Sequence, residues 1–394
     1  MSNTPYKPIQ FETAKPGQWL GLLGGGQLGR MFCMAAQSMG YKVLVLDPMP
    51  NGPAGLVAED QVLSDYLNDE GLAELAQRCV GVTTEFENVP ALALETLASS
   101  IPVSPSAFSV GVAQNRIEEK IYISGCGVPV APHAAILKSK DITDALQPLL
   151  PGILKTARLG YDGKGQVRVN TLSEVQSAFA QLNEVECVLE KRLSLQKEVS
   201  VIVARNRKGE SVTFPVAENI HRQGILDTSI VPARIADALA TQARSSAVSI
   251  AKALDYVGVL CVEFFLVDGM GLVVNEIAPR PHNSGHYSID ACITSQFEQQ
   301  ARILAGLPLG DTRQHSPAVM LNLLGELWFD AQGNEREPAW ENALALPNVK
   351  LHLYGKEQPR VGRKMGHLTI VASTLEHALQ TADQVRGILG IHGE

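Results

Sequence analysis

Short apolar runs, each closed by glycine or by an acidic residue, set the pattern at the start of this chain. The run Trp19–Leu23 ends in glycines, residues 31–40 then read as a helix, and residues 41–47 return to a strand that stops at Asp47. A strand, a glycine loop, a helix and a second strand in that order predict a parallel, doubly wound α/β sheet. Residues 81–84 and 101–103 supply further strands, and residues 112–125 read as a helix leading out of this unit.

Beyond about residue 126 the texture changes to strands joined by glycine turns, an α+β pattern. Residues 153–156, 167–169, 188–191 and 199–204 alternate as strands, with one helix at 173–182. A long amphipathic helix follows at 235–254, then two strands at 259–267 and 272–277. The tail, from about residue 316, carries strands near 319–324, 349–354 and 368–372. No internal repeat or low-complexity tract interrupts the chain.

Composition narrows the class. With 394 residues, 45% hydrophobic and 19% charged, the chain is globular and long enough for two to four units. A net charge of −8 with scattered basic residues argues against a nucleic-acid surface, although a local basic pocket for a small anion is still available. Cys33, Cys79, Cys126, Cys187, Cys261 and Cys292 stand singly, which points to free thiols in a reducing, cytoplasmic setting. The first 17 residues are polar and proline-bearing, without a signal-peptide core. The most apolar window, residues 256–274, is broken by Glu263 and Asp268, so no membrane span is expected.

Two glycine loops invite phosphate chemistry. Gly24, Gly26 and Gly29 fit G-x-G-x-x-G, and Asp47 ends the next strand. That pattern suits a dinucleotide, as in a nicotinamide-dependent dehydrogenase. It equally suits another phosphate ligand, or merely a tight turn. The second loop, Gly160-Tyr161-Asp162-Gly163-Lys164-Gly165-Gln166, lies between two strands and lacks the Lys-Ser/Thr ending of a P-loop. With Lys155 on the strand before it, it reads as a flap over phosphates or as a plain hairpin turn.

Glu263 and Glu276 are the most informative pair. If residues 268–271 form the turn, Val267 faces Leu272 and Glu263 falls opposite Glu276. Their Cβ atoms would then lie ~5 Å apart, a like-charge contact that asks for a cation. Magnesium, which prefers carboxylate and phosphate oxygen, fits such a gap. The plainer alternative is two solvent-facing glutamates on an edge hairpin, and a one-residue bulge would break the register.

Several strings together resemble the ATP-grasp superfamily and, within it, the 5-(carboxyamino)imidazole ribonucleotide synthase family. They are Gly24 to Arg30, Thr84-Glu85-Phe86-Glu87-Asn88, the Gly160 to Gln166 flap, Asn275 to His286, and Gly362-Arg363-Lys364-Met365-Gly366-His367. The resemblance implies a Rossmann-like pre-ATP-grasp domain at 18–118 and a small flap domain at 119–193. A large mixed-sheet domain would follow at 194–394, with a substrate-phosphate subdomain from about 316. Residues 1–17 have no counterpart.

The implied chemistry is carboxylation of aminoimidazole ribonucleotide by bicarbonate, driven by ATP with Mg2+ through carboxyphosphate, in purine biosynthesis. Glu263 and Glu276 would hold the magnesium. Arg116, Lys155, residues Gly160 to Gln166, Glu190, Lys191, Arg192, Leu193, Glu198, His221, Asn275 and Glu276 would contact ATP. Arg280, His282 and Asn283 would cradle bicarbonate, setting aside a metal pair at His282 and His286. Gln27, Glu85, Tyr161, Asp162, Lys164, Lys356 and Arg363 would hold the ribonucleotide. Many ATP-grasp chains carry asparagine two residues past the second metal glutamate. Here that position is Ala278, and Asn275 or water would supply the third ligand. The family's usual state is a homodimer. Alternatives are a dehydrogenase on the first glycine loop, a formate-using glycinamide ribonucleotide transformylase, a biotin carboxylase, or a non-catalytic nucleotide sensor.

Overall fold

The computed structural model describes residues 12–160 and 165–391. Its first unit is a five-stranded sheet in the order Asp60–Val62, Lys42–Leu46, Trp19–Leu23, Cys79–Thr84, Val103–Ser104, with every pair parallel. The three central strands are mostly apolar and buried on both faces, as parallel sheets require. Leu22, Val43 and Val45 pack with Phe32 on one side, and Leu23, Leu44 and Leu46 with Leu72 and Leu94 on the other.

The first helix spans Gln27–Ser38, earlier than the 31–40 expected, because it starts directly on the glycine loop with Gly26 as its cap. Gly29 sits inside that helix and had read as loop. The sequence reading also missed the helices Asp69–Arg78 and Ala91–Ala98. Residues 13–17 are tied in: Ala14 N–H donates to Ala305 (2.8 Å), and the Tyr41 hydroxyl donates to Ala14 (3.0 Å).

The expected helix 112–125 is two helices, Ala107–Ala113 and Arg116–Gly125. The break falls at Asn115, whose side chain accepts from Ile117 N–H (3.0 Å) and caps the second helix. A four-stranded antiparallel sheet follows, ordered His133–Ile136, Cys187–Lys191, Gly152–Thr156, Gln166–Val169.

The large sheet runs Gly271–Ala278, Gly258–Val267, Leu195–Arg205, Ala217–Arg222, Ile225–Val231, Ala318–Leu324, Lys364–Val371, Val349–Leu353, with Ser211–Thr213 paired to Leu195–Arg205. Its strand pairs are antiparallel, and one parallel bridge joins Val130 to Val274. The helix Asp237–Ala253 buries Ala243, Ala247 and Ile250 against one face. The helix Gln296–Ala305 places Phe297, Ala301 and Leu304 against the first sheet, joining the outer units.

The hairpin that carries both glutamates departs from the expected register. Val267 pairs with Gly271, Leu266 with Leu272 and Phe264 with Val274. Gly269 and Gly271 have φ of 72° and 73°, a left-handed geometry that shortens the turn. Continued unbroken, this register would set Glu263 against Asn275. A bulge beside Phe264 leaves Asn275 unpaired, so Glu263 pairs with Glu276 after all. Bulges re-aim side chains in this way beside functional sites.

Candidate active site

The bulge is gripped from behind by one helix. Arg116, Glu119 and Lys120 share a face of Arg116–Gly125 by their three- and four-residue spacing. Arg116 Nη1 lies 2.7 Å from Glu276 Oε2, Lys120 Nζ donates to the Asn275 carbonyl (3.3 Å), and Ile277 N–H donates to Glu119 Oε1 (2.6 Å). Three consecutive residues are thus held by three side chains. Glu119 and Lys120 were absent from the sequence-level candidates, because buried charges on a helix read as a solvated face.

Electrostatics mark the carboxylate pair. Burial, followed by the charge of Glu276, pushes Glu263 up from 4.5 to about 7. Glu276 lies below its ordinary value, because against burial stand Arg116, Lys155 and Lys120 together. Burial and Glu276 raise Glu119 to about 8. Asn275 Oδ1 is buried with no hydrogen-bond partner, a polar atom aimed at nothing the chain supplies.

On the nucleotide side, Lys155 and Lys120 both reach Glu190, at 3.0 and 3.1 Å, in a nearly dry setting. The two ammonium groups overcome burial and hold Glu190 down to about 2. Burial lowers Lys155. Lys191 and Arg192 are exposed, and their amides donate to Pro132 and Pro151 (both 2.9 Å), while Leu193 is half-buried. Glu198 pairs with His221 Nδ1 at 2.8 Å, beside a cleft of about 290 Å³ lined also by Leu195, Lys197 and Ile220. Glu198 holds His221 above its ordinary value against the opposing effect of burial.

The flap's ends are anchored: Arg116 Nη2 donates to the Gly160 carbonyl (3.2 Å), and Thr156 N–H donates to Gly165 (2.9 Å). Gln166 opens the strand on the far side and pairs with Lys155. Tyr161, Asp162, Gly163 and Lys164 lie outside the described residues.

The loop after Ala278 turns back over the pair. Arg280 is salt-bridged to Glu87. His282 Nε2 stands 3.1 Å from Glu263 Oε1, with its backbone clamped at both N–H (2.9 Å) and carbonyl (2.7 Å) by the buried Gln296 amide. Burial, aided by Arg280, keeps the His282 ring neutral, well below its ordinary value. Asn283 is buried and its Nδ2 has no partner.

The first glycine loop surrounds a carboxylate of its own chain. Gly26 and Gly29 N–H donate to the two oxygens of Glu85 (2.9 and 3.1 Å), and Gly25 N–H donates to Asp47 (2.7 Å), which also accepts from Tyr66 (2.6 Å). A Cβ on Gly26 would fall 2.5 Å from Glu85 Oε1, so glycine is needed to admit that side chain. The amides that a dinucleotide pyrophosphate would use are occupied, and so is the acidic residue that would take its ribose. This overturns the dehydrogenase alternative.

Gln27 opens the helix beside this loop. Glu85 feels Arg280 and Glu87, and Lys356 feels Arg363, Glu85 and Lys364. Glu85 thus adjoins the Arg280 loop, and Lys356 adjoins Glu85. Burial first, then Arg363, lowers Lys356 to about 8, and its ammonium donates to the Lys364 carbonyl (2.6 Å). Arg363 Nη1 donates to Gln358 (2.5 Å). Glu87 is the functional neighbour that the sequence reading quoted in a string and assigned no role.

Family models match three stretches of this chain. Residues 122–297 match the model for the ATP-grasp domain, 18–114 the ribonucleotide synthetase preATP-grasp domain, and 318–381 the phosphoribosylaminoimidazole carboxylase C-terminal domain. The N5-carboxyaminoimidazole ribonucleotide synthase of Brucella melitensis is 46% identical over 90% of this chain and 96% of its own. A solved ADP complex of an N5-carboxyaminoimidazole ribonucleotide synthetase superposes with TM-score 0.89 at 42% identity, covering 96% of this chain and 98% of that one. An Aspergillus clavatus N5-carboxyaminoimidazole synthase, solved with ADP and 5-aminoimidazole ribonucleotide, gives TM-score 0.84 at 31% identity over 96% of this chain and 100% of its own. With its glycine loop closed on Glu85 and its paired glutamates facing two buried lysines, the chain belongs to the N5-carboxyaminoimidazole ribonucleotide synthase family, ATP-grasp ligases of purine biosynthesis.

Proposed function

We propose that this site phosphorylates bicarbonate with ATP and transfers the carboxyl group to the amine of 5-aminoimidazole ribonucleotide, releasing ADP and phosphate. The observation that carries the reading is Glu263 set against Glu276 by a bulge, with Arg116 behind and Lys155 close by. Two facing carboxylates offer oxygen donors of the kind magnesium prefers, and the unpartnered amide oxygen of the neighbouring Asn275 would be available as a third. Glu263 and Glu276 would hold it, and it would neutralise charge on the transferring phosphoryl group.

The chain's own residues do the remaining work by positioning and charge. Lys155 and Arg116 neutralise the phosphates under the Gly160–Gln166 flap. The Glu190 to Leu193 segment meets the adenine edge, and Glu198 accepts from the ribose hydroxyls, oriented by His221. Arg280, His282 and Asn283 hold bicarbonate. An oxygen of bicarbonate attacks the γ-phosphorus and ADP departs, leaving carboxyphosphate. The ribonucleotide amine then forms its bond to the carboxyl carbon, directly or after carbon dioxide is released beside it. Phosphate leaves and the amine loses a proton. Glu85 and Gln27 face the amine and ribose side, and Lys356 and Arg363 face the phosphate, the arginine as a bidentate fork.

ADP release in the presence of magnesium should need bicarbonate and rise sharply with aminoimidazole ribonucleotide. Release indifferent to that ribonucleotide, or equal with glycinamide ribonucleotide and formate, overturns the assignment. A cytoplasmic homodimer accompanies the reading, and light scattering tests the dimer.

A further inference from the structure

Glu263 has neighbours of two chemical kinds. Toward Glu276 and Asn275 the donors are oxygen. On its other side stand sulfur and nitrogen: Cys261 lies two residues earlier on the same strand and so on the same face. The Cys261 thiol, a Glu263 oxygen and a His282 ring nitrogen all lie within 4.8 Å of one another. The cross-strand partner of Cys261 is Ala278, which offers no competing donor.

Ser284 links the two softer donors. Its hydroxyl lies 2.9 Å from His282 Nδ1 and 3.9 Å from Cys261 Sγ, and it accepts from Ser200 (2.8 Å). Ser200 in turn accepts from Asn219 (2.9 Å), and Asn219 from Ser229 (2.9 Å). All four residues are buried. Ser284 N–H also stands 3.3 Å from His282 Nδ1, which in the metal-free chain leaves the ring proton on Nε2 facing Glu263. In the other tautomer, with Nδ1–H donating to the Ser284 hydroxyl and that hydroxyl to sulfur, His282 turns its Nε2 lone pair and Cys261 its sulfur toward one point. Such outer hydrogen bonds fix the orientation and basicity of metal ligands.

We propose that Cys261, Glu263 and His282 form a second metal site, for a thiophilic divalent ion such as zinc, which silences the enzyme by drawing Glu263 out of the magnesium pair. One sulfur, one nitrogen and one carboxylate ligand with an open fourth position form a donor set that zinc accepts and magnesium does not. At zinc's bond lengths a tetrahedral site needs its donors roughly 3.3–3.7 Å apart, so side-chain shifts of about 1 Å close it. Binding releases the thiol proton to solvent and involves no change of oxidation state. Arg280, the cation that His282 feels most, is bridged to Glu87.

The competition half of the proposal rests on Glu263 being a magnesium ligand, and the thiophilic site itself does not. Cobalt(II) titration of the full-length, metal-free chain should therefore develop a thiolate-to-cobalt charge-transfer band that disappears in Cys261→Ser and Cys261→Ala. In the ADP-release assay, zinc should inhibit competitively with magnesium and be reversed by a chelator. Its inhibition constant should rise at least about tenfold in either variant, since losing a ligand exceeds the usual effect of losing an outer partner. A native chain without the band, a band that survives both substitutions, or variants as zinc-sensitive as the native chain would overturn the site. The band without competition against magnesium overturns the Glu263 assignment and leaves the thiophilic site standing.

Discussion

Replacing Glu263 by glutamine should make the metal-free protein more stable while destroying its activity. The carboxyl group is almost wholly removed from solvent (11% side-chain exposure), and its pKa rises from 4.5 to about 7 through burial and the charge of Glu276. A raised carboxyl pKa means that the folded state binds the proton more tightly than the unfolded state does. Stability is therefore complete below pH 4.5, declines between pH 4.5 and 7, and stays depressed above. The rise corresponds to roughly 3 kcal/mol of penalty on the ionised form at pH 8, and to less than ~1 kcal/mol at pH 5. Glutamine removes the charge and keeps the shape, so the variant should exceed the parent by up to ~3 kcal/mol at pH 8 and by little at pH 5. Urea unfolding at the two pH values, without nucleotide, reads this difference directly. Magnesium and ATP at one thousand times the Kd should reverse the order, because such a ligand stabilises only the chain that binds it, by ~4.1 kcal/mol. A variant less stable than the parent at pH 8, or a difference that does not change between pH 5 and 8, refutes the reasoning.

Three further outcomes follow from the site. Because Lys356 is lowered to about 8 by burial and Arg363, it loses its charge as pH rises through that value. kcat/KM for the ribonucleotide should fall about tenfold per pH unit above it, and Lys356→Arg, which stays charged, should flatten that limb. Gly26→Ala would put a Cβ against Glu85, so KM for the ribonucleotide should rise by roughly tenfold or more while KM for ATP holds, as initial-rate kinetics will show. Glu198→Ala should remove about 1.5–3 kcal/mol of binding to ATP, seen as a higher Kd by calorimetry, with ribonucleotide binding little changed.

The parallel order of the first sheet was legible because Trp19–Leu23, the glycines and residues 41–47 carry local signals. The short edge strand Asp60–Val62 and the helix Ala91–Ala98 were not, since neither has a period long enough to read. At the hairpin, the sequence reading paired Glu263 with Glu276 through a turn that the structure does not make. Two left-handed glycines shorten the turn by one residue, and the bulge at Asn275 restores what the turn removed. The first glycine loop was ambiguous for a related reason: its spacing says that amides face an anion, not which anion.

Local spacing alone determined the α/β opening, the α+β texture after it, the two glycine loops and the composition of the carboxylate hairpin, because backbone propensity and turn chemistry act within a few residues. Only tertiary packing could decide that Glu85 fills the first loop, that Glu119 and Lys120 grip the bulge, and that Cys261 and His282 share Glu263. Those contacts join residues far apart in the chain, 56 residues for Glu85 and Gly29 and 158 for Glu119 and Ile277. Their energies come from burial, which exists only once the sheets have closed on one another.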